Sequence, residues 1–297
     1  MRLVKPFDVD DTVLTSTSVV NDYPDWTAGT YTLGQRRVED NKVYEVVADP
    51  STTDQPSVGI TADPPTWILI GWSNQYRMFR DGSDSKSTST DNITVDLVFS
   101  DIVNTIGLLG LLGNTVSLTV TDSVEGVVYS QTIDLIDAGA GDWWEWHFLP
   151  YESKTTAVFS EIPPYNNATC ELVLSGLAPT DPVECGRVVA GVETGIGAMR
   201  YDTSVGVIEY STKERDGFGN LTLVPRRTVR RVDYDLIMET NQVSYMQREL
   251  TSISAQPTLF IGDDSTDWSI VFGVYRDFDI SVSSPSISYA SLQVEGF

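Results

Sequence analysis

The stretch Val205–Met238, VGVIEYSTKERDGFGNLTLVPRRTVRRVDYDLIM, decides the fold class of this chain. It begins with alternating apolar residues at Val205 and Val207, turns through DGFGN at 216–220, and resumes as a second extended run. A glycine-containing loop between two such runs is typical of a β-hairpin. The stretch therefore predicts two antiparallel strands.

Four arginines lie within six positions of the second run, although the formal net charge of the chain is -23. Because side chains alternate between the two faces of a strand, we expect Arg226 and Arg230 on one face and Arg227 and Arg231 on the other. This local inversion of charge indicates an acidic partner.

Three kinds of partner fit these arginines. Acids of the same chain, such as Glu209, Asp233 and Asp235, can neutralise them. An acidic surface on a neighbouring copy can do so as well, which makes the protein a component of an assembly. Nucleic acid is the third reading. Under the second reading the residues of the subunit interface are Arg226, Arg227, Arg230 and Arg231.

The composition excludes several classes of protein. The chain has 297 residues, 41% of them hydrophobic, which is enough apolar material for one large or two ordinary domains. Its 42 acidic against 19 basic residues repel DNA and anionic membranes, so we expect no nucleic-acid partner. No apolar run approaches the ~20 residues that span a bilayer, and the amino terminus lacks the apolar run of a signal peptide. We expect a protein made in the cytoplasm, without membrane insertion.

Short alternating runs separated by turns fill most of the chain and predict an all-β fold. We expect four segments: an extended arm at 1–22 that adds to a sheet or to a neighbour, a small aromatic-rich β module at 23–82, a linker at 83–92, and a larger antiparallel β-sandwich or jelly roll at 93–297. One short helix is expected where Val243, Met246, Leu250 and Ile253 follow Asn241, a candidate cap.

Five aromatic residues in the module are candidates for carbohydrate binding. Indole and phenol rings stack on the C–H faces of sugars, but a module of two or three short strands also needs large aromatic residues for its own core. Both readings remain open, and the core reading covers at least three of the five. The candidates are Trp26, Tyr31, Tyr44, Trp67 and Trp72.

The spacing of the module, W-x4-Y-x2-G-x3-V-x4-VYE from Trp26 and closing on P-x-W at Trp67, resembles the small chitin- and cellulose-type carbohydrate-binding modules. It is also similar to a repeat unit of tail and virion proteins of tailed bacteriophages. Gln35 stands where the sugar-binding pattern usually has an acid. The resemblance implies a host surface glycan as an alternative partner.

The second half resembles an uncharacterised class of phage virion structural proteins, through WWEWHF, EIPPY, VGVIEYSTKERDGFGNLTLVPR, FGVYRDFDI and LQVEGF. This resemblance implies a structural subunit of the tail, neck or baseplate that assembles with copies of itself in a ring and contacts other tail or neck proteins. The implied location is the virion. It brings no catalytic residues and no cofactor.

The residues themselves give little support for an enzyme. The only histidine, His147, lies among Trp144, Trp146 and Phe148, which we expect to supply core, and no signature of a catalytic triad surrounds it. A tail-associated glycosidase needs only two carboxylates, and a chain this acidic always offers candidates. Those noted are Glu145, Glu193 and Asp216. We expect no catalytic site, no metal and no cofactor.

Two cysteines, Cys170 and Cys185, are too few for a disulfide scaffold. Free Cys is among the most frequently buried residue types, so two buried thiols are the expectation. A single bridge between them is the alternative in an oxidising medium.

Overall fold

The structure is a computed structural model and describes residues 1–80, 85–137, 143–144, 152–215, 217–264 and 266–296. Strand residues make up 52% of the structure and helical residues make up 9%. The all-β prediction is therefore confirmed.

The strands are short and follow one another closely along the chain. The first thirteen are β1 (Arg2–Pro6), β2 (Leu14–Thr17), β3 (Tyr31–Thr32), β4 (Arg36–Glu39), β5 (Lys42–Val46), β6 (Ser51–Thr52), β7 (Trp67–Trp72), β8 (Ser87–Thr90), β9 (Asn92–Val98), β10 (Thr105–Leu109), β11 (Thr115–Asp122), β12 (Gly126–Asp134) and β13 (Ile136–Asp137). The others are β14 (Glu152–Ser153), β15 (Thr156–Phe159), β16 (Thr169–Ser175), β17 (Pro182–Cys185), β18 (Arg187–Gly195), β19 (Ala198–Met199), β20 (Ser204–Glu209), β21 (Thr212–Arg215), β22 (Leu221–Val224), β23 (Thr228–Glu239), β24 (Thr258–Ile261), β25 (Ile270–Val282) and β26 (Ile287–Gly296).

Two large antiparallel sheets form the body. The ten-stranded sheet has the order β15-β10-β18-β1-β24-β25-β26-β23-β19, and β20 also pairs with β23. The five-stranded sheet has the order β12-β11-β16-β9-β2. Small sheets complete the fold: β4-β5-β7, β3-β6, β8-β17, β13-β14 and β21-β22.

One hydrophobic core lies between the five-stranded sheet and one end of the ten-stranded sheet. Side chains alternate along β9, so that Ile93, Val95 and Leu97 point into the core, while the other face carries the polar residues Asn92, Thr94 and Asp96. Inward residues of β11, β16, β10 and β15 also belong to this core: Val116, Leu118, Val120, Cys170, Leu172, Leu174, Ile106, Leu108, Ala157 and Phe159. This packing is the predicted β-sandwich.

A second core lies where a helix covers the other end of the ten-stranded sheet. Tyr234 and Leu236 of β23 pack with Met246 and Leu250 of α2 (Val243–Ser252), which follows the one-turn helix α1 (Pro56–Gly59) in chain order. The predicted short helix is thus confirmed, although its cap is not. A 3-10 turn precedes α2, and Asn241 instead donates a hydrogen bond to Glu239. Among the helices in the described ranges, none is long and apolar enough to cross a membrane.

The amino-terminal segment is part of both large sheets. Strand β1 lies between β18 and β24, and β2 forms the edge of the five-stranded sheet beside β9. Leu3 and Val4 are fully buried on opposite faces of β1, in different cores. The sequence predicted that the arm at 1–22 adds either to a sheet or to a neighbouring copy. In the structure it adds to both large sheets of its own chain.

The segment predicted as a linker contains a strand. Residues 81–84 lie outside the described ranges, but β8 pairs with β17 from Ser87 to Thr90. Polar composition suggested a solvated loop, yet Ser87 is fully buried and its hydroxyl donates to the Asn74 carbonyl oxygen at 2.6 Å. Tyr76 and Met78, which we placed in the front module, pack in the sandwich core.

The expected core position of Trp144 is wrong, because 61% of this side chain is exposed. The other expectations for this aromatic segment concern Glu145, Trp146, His147 and Phe148, which lie outside the described ranges.

Candidate docking site

The hairpin predicted from the sequence forms one long two-stranded ribbon. Near the body, β20 pairs with β23 from Ser204↔Asp233 to Glu209↔Thr228. Farther out, β21 pairs with β22 from Thr212↔Val224 to Arg215↔Leu221. We call the outer part, residues 210–227, the projecting hairpin.

The described residues of the projecting hairpin are exposed or half-buried. None of its described residues is buried, and β21 and β22 pair only with one another in the part of the chain that the structure describes. Leu221 and Leu223 are 49% and 58% exposed, and Phe218 near the turn is 95% exposed. A two-stranded ribbon is marginally stable in water, and exposed apolar residues in such a cluster mark an interaction surface.

Apolar and cationic side chains share one face of the projecting hairpin. Residues directly opposite in an antiparallel pair lie on the same face, and here Lys213 is opposite Leu223 and Arg215 is opposite Leu221. Lys213 forms a 2.7 Å ion pair with the exposed carboxylate of Glu209, and Arg215 donates to a backbone carbonyl oxygen at 3.3 Å. This face can therefore meet a partner that is both apolar and acidic.

The root of the projecting hairpin is fixed to the body. The hydroxyl of Tyr210 donates a hydrogen bond to the carboxylate of Glu295 on β26, which also pairs with Arg276 on β25. Hydrogen bonding to this carboxylate raises the pKa of Tyr210. The hairpin is thus held at its base while its outer strands stay free of the sheet.

Two of the four predicted interface arginines are bound within their own chain. Arg230 donates through Nη1 to the Asp267 carbonyl oxygen at 2.6 Å, and through Nη2 to its carboxylate at 3.3 Å. Arg231 pairs with Asp233, where hydrogen bonding to the guanidinium lowers the pKa of the carboxyl group. Arg230 and Arg231 are therefore neutralised by acids of their own subunit, which is the first of the three kinds of partner considered from the sequence.

The other two arginines lie on the projecting hairpin. Arg226 is exposed and Arg227 is half-buried, and neither side chain has a hydrogen-bond or ion-pair partner among the described residues. Both follow Pro225, between the end of β22 and the start of β23. Strand alternation is interrupted there, so the predicted sharing of faces with Arg230 and Arg231 does not apply.

The charge of this ribbon is opposite to that of the rest of the protein. Residues 204–231 contain six Lys or Arg and three Asp or Glu, whereas the whole chain has a net charge of -23. The body therefore offers an acidic surface to any second copy that approaches with its ribbon.

The exposed apolar residues of this site, above all Leu221 and Leu223, were not predicted from the sequence. The signal was present, because the run LTLV directly precedes Pro225-Arg226-Arg227. Sequence alone does not show whether such a run is covered by a sheet, and among the described strands only β21 pairs with it.

Three of the five carbohydrate candidates belong to the core of the front module. Tyr31, Tyr44 and Trp67 are buried and pack with Val46, and the rings of Tyr31 and Trp67 meet edge to face at 5.6 Å between centroids. Sugar stacking by these three is therefore wrong, because their faces are covered by neighbours. The small module uses them as the core reading predicted.

The remaining two candidates are partly exposed. Trp26 packs against the module core. The ring of Trp72 carries the Arg80 guanidinium 4.7 Å and the Lys42 ammonium 5.1 Å from its centroid. These cation–π contacts occupy the indole with cations of the same chain.

An open groove of about 650 Å³ lies beside Trp72. Its wall includes Tyr23 and three cations, Arg36, Arg77 and Lys86. Each cation already has an acidic partner in the chain: Glu45, Asp22 and Glu184.

Both cysteines are free and buried, as expected. Burial raises the pKa of Cys170 to about 11 and that of Cys185 to about 12. Within the described ranges, no group of three or more His, Cys, Asp or Glu side chains is arranged to hold a metal ion.

No protein-family model matches the chain, and no curated protein matches it.

Proposed function

We propose that this protein is a non-enzymatic structural subunit that assembles with copies of itself through the projecting hairpin. The observation that carries the proposal is the hairpin itself: Leu221 and Leu223 are about half exposed, and the side chains of Arg226 and Arg227 have no charge partner among the described residues. A partner with an acidic and apolar surface would supply both.

The proposed assembly is a ring in the tail, neck or baseplate of a tailed bacteriophage, in contact with other tail or neck proteins. The support for this setting is the resemblance of the two halves of the sequence to phage virion proteins. The fold is compatible with it, because a rigid β body with a fixed ribbon root can hold its interface in one orientation.

Sedimentation of the purified protein across a range of salt concentrations tests this function. We expect the parent protein to associate at low salt and to dissociate as salt rises, because charge contacts at a surface are screened. The variant Arg226→Ser with Arg227→Ser should sediment as a monomer throughout. A matched control is Lys154→Ser with Arg248→Ser, which removes two exposed cations elsewhere and should associate like the parent.

Two outcomes would contradict the proposal. A parent protein that stays monomeric at every concentration would contradict the proposal that the protein assembles with copies of itself. Association of the Arg226→Ser, Arg227→Ser variant with the affinity of the parent would remove the two arginines from the interface.

A receptor-binding role is the second candidate. The open groove of about 650 Å³ beside Trp72, with Tyr23 in its wall, is of a size that can take part of a glycan. Binding of the full chain to an array of bacterial surface glycans, compared with a Trp72→Ala variant, tests it. The absence of any bound glycan at high protein concentration would retire this candidate.

A further inference from the structure

We propose that β22 of one copy adds, antiparallel, to the outer edge of β12 in the next copy. This inference rests on the proposed function and names the surface that receives the hairpin. Donor and acceptor are different parts of the chain, so the contact is heterologous and can propagate around a ring.

The outer edge of β12 has no strand partner in the part of the chain that the structure describes. Its other edge pairs with β11. Proteins usually protect such an edge with lysine, proline or a bulge. The sequence GVVYSQTID contains no Lys, Arg or Pro, and its one irregularity leaves the regular run from Tyr129 to Asp134 unprotected. This edge therefore has the features of one that another strand covers.

The acceptor region has the charge that the hairpin needs. Between Ser87 and Ser153 the chain has ten Asp or Glu and no Lys or Arg. Two of these acids, Asp122 and Glu125, lie at the turn that leads from β11 into β12. Arg226 and Arg227 follow β22 by two and three residues. Antiparallel addition therefore brings the two arginines to the acidic turn.

The apolar surfaces also correspond. At the same end of β12, Val124 and Val127 are 89% and 63% exposed. In the antiparallel arrangement, the exposed apolar side chains of β22 would lie beside these two valines. Each surface would remove from water the apolar area that the other leaves uncovered.

The orientation makes a specific prediction about charge. Glu125→Lys, at the arginine end of the contact, should weaken association about tenfold or more, because a close charge pair becomes a repulsion. Asp134→Lys makes the same change of charge at the other end of β12 and should leave association close to that of the parent. Arg226→Glu with Arg227→Glu should abolish association, and adding Glu125→Lys should restore part of it.

Chemical crosslinking locates the contact directly. Thr222→Cys on β22 and Ser130→Cys on β12 are made in separate proteins, mixed, and treated with a short bismaleimide. Both positions are exposed, whereas the native cysteines are buried. We expect a crosslinked dimer in the mixture and little product from either protein alone. The control replaces Ser130→Cys by Ser16→Cys on β2, the other edge of the same sheet, and should give little dimer.

The outcomes separate the inference from the proposed function. Association without the mixed crosslink, or with Thr222→Cys linking to itself, would overturn the β22–β12 contact while self-assembly stands. Equal effects of Glu125→Lys and Asp134→Lys would overturn the antiparallel orientation. Absence of any association would overturn both the inference and the proposed function.

Discussion

The guanidinium of Arg230 donates a 2.6 Å hydrogen bond to the backbone carbonyl of Asp267, 37 positions later in the chain. The carboxylate of Asp267 in turn accepts a 2.6 Å hydrogen bond from the hydroxyl of Thr156 on β15. These two hydrogen bonds link the root of the ribbon to the turn before β25 and, through it, to β15. They divide the arginines into a pair that serves the fold, Arg230 and Arg231, and a pair that is available to a partner, Arg226 and Arg227.

The first prediction concerns stability. Arg230→Ala should lower the free energy of unfolding by about 1 kcal/mol, because it removes charge-assisted hydrogen bonds at a site that water partly screens. Arg226→Ser with Arg227→Ser should leave the denaturation midpoint unchanged within experimental scatter. Urea denaturation measures both. An equal loss of stability in the two variants would refute the division into two pairs.

The second prediction concerns a close approach of two strands. Gly273 on β25 is directly opposite Gly296 on β26, and a Cβ atom at 273 would lie 1.9 Å from the Glu295 carbonyl oxygen. Gly273→Ala should therefore destabilise the fold by about 1–3 kcal/mol or more, because backbone must move. Gly206→Ala is the control, since the space around that position on β20 is open. Thermal denaturation compares the two, and a Gly273→Ala protein as stable as the control would contradict the close packing.

The third prediction concerns pH. The Arg231 guanidinium lowers the pKa of Asp233 in the folded protein, so the folded state favours the ionised carboxylate. This contribution to stability is fully present above the pKa of the unfolded state, about 3.9, and is lost as pH falls through the lower folded pKa. The stability gap between the parent and Asp233→Asn should then be widest at neutral pH and close in acid. A gap that stays constant from neutral pH to strong acid would count against the ion pair.

The fourth prediction concerns thiol reactivity. Because burial raises the pKa of Cys170 to about 11 and that of Cys185 to about 12, both thiols stay protonated near pH 8. N-ethylmaleimide should label neither in the native protein and both after denaturation, as measured by intact mass. Rapid labelling of the native protein would show that these side chains are accessible.

Local patterns in the sequence predicted local structure well. The DGFGN turn and the flanking alternation gave the hairpin, and the spacing of Val243, Met246 and Leu250 gave the helix. Both depend on residues only a few positions apart. The all-β class followed from the repetition of such patterns along the chain.

Contacts between distant residues were harder to predict. Polar composition at 83–92 indicated a linker because the partner strand of β8 lies almost a hundred positions away, in β17. Arg230 pairs with Asp267 because the fold places the turn before β25 next to it. No pattern in the sequence near Arg230 predicts that position. Aromatic residues such as Tyr31 and Trp67 suit both a sugar platform and a small core, and only packing distinguishes the two.

The position of β1 has a consequence for biosynthesis. Its neighbours in the sheet are β18 and β24, which both follow it in the chain, so β1 must wait until residues 258–261 have been synthesised before both of its edges are paired. Until then the apolar side chains of Leu3 and Val4 lack part of the core that buries them in the completed fold. The sheet is therefore completed through long-range contacts, a topology that is generally associated with slow folding and with exposure of the unfinished chain to aggregation.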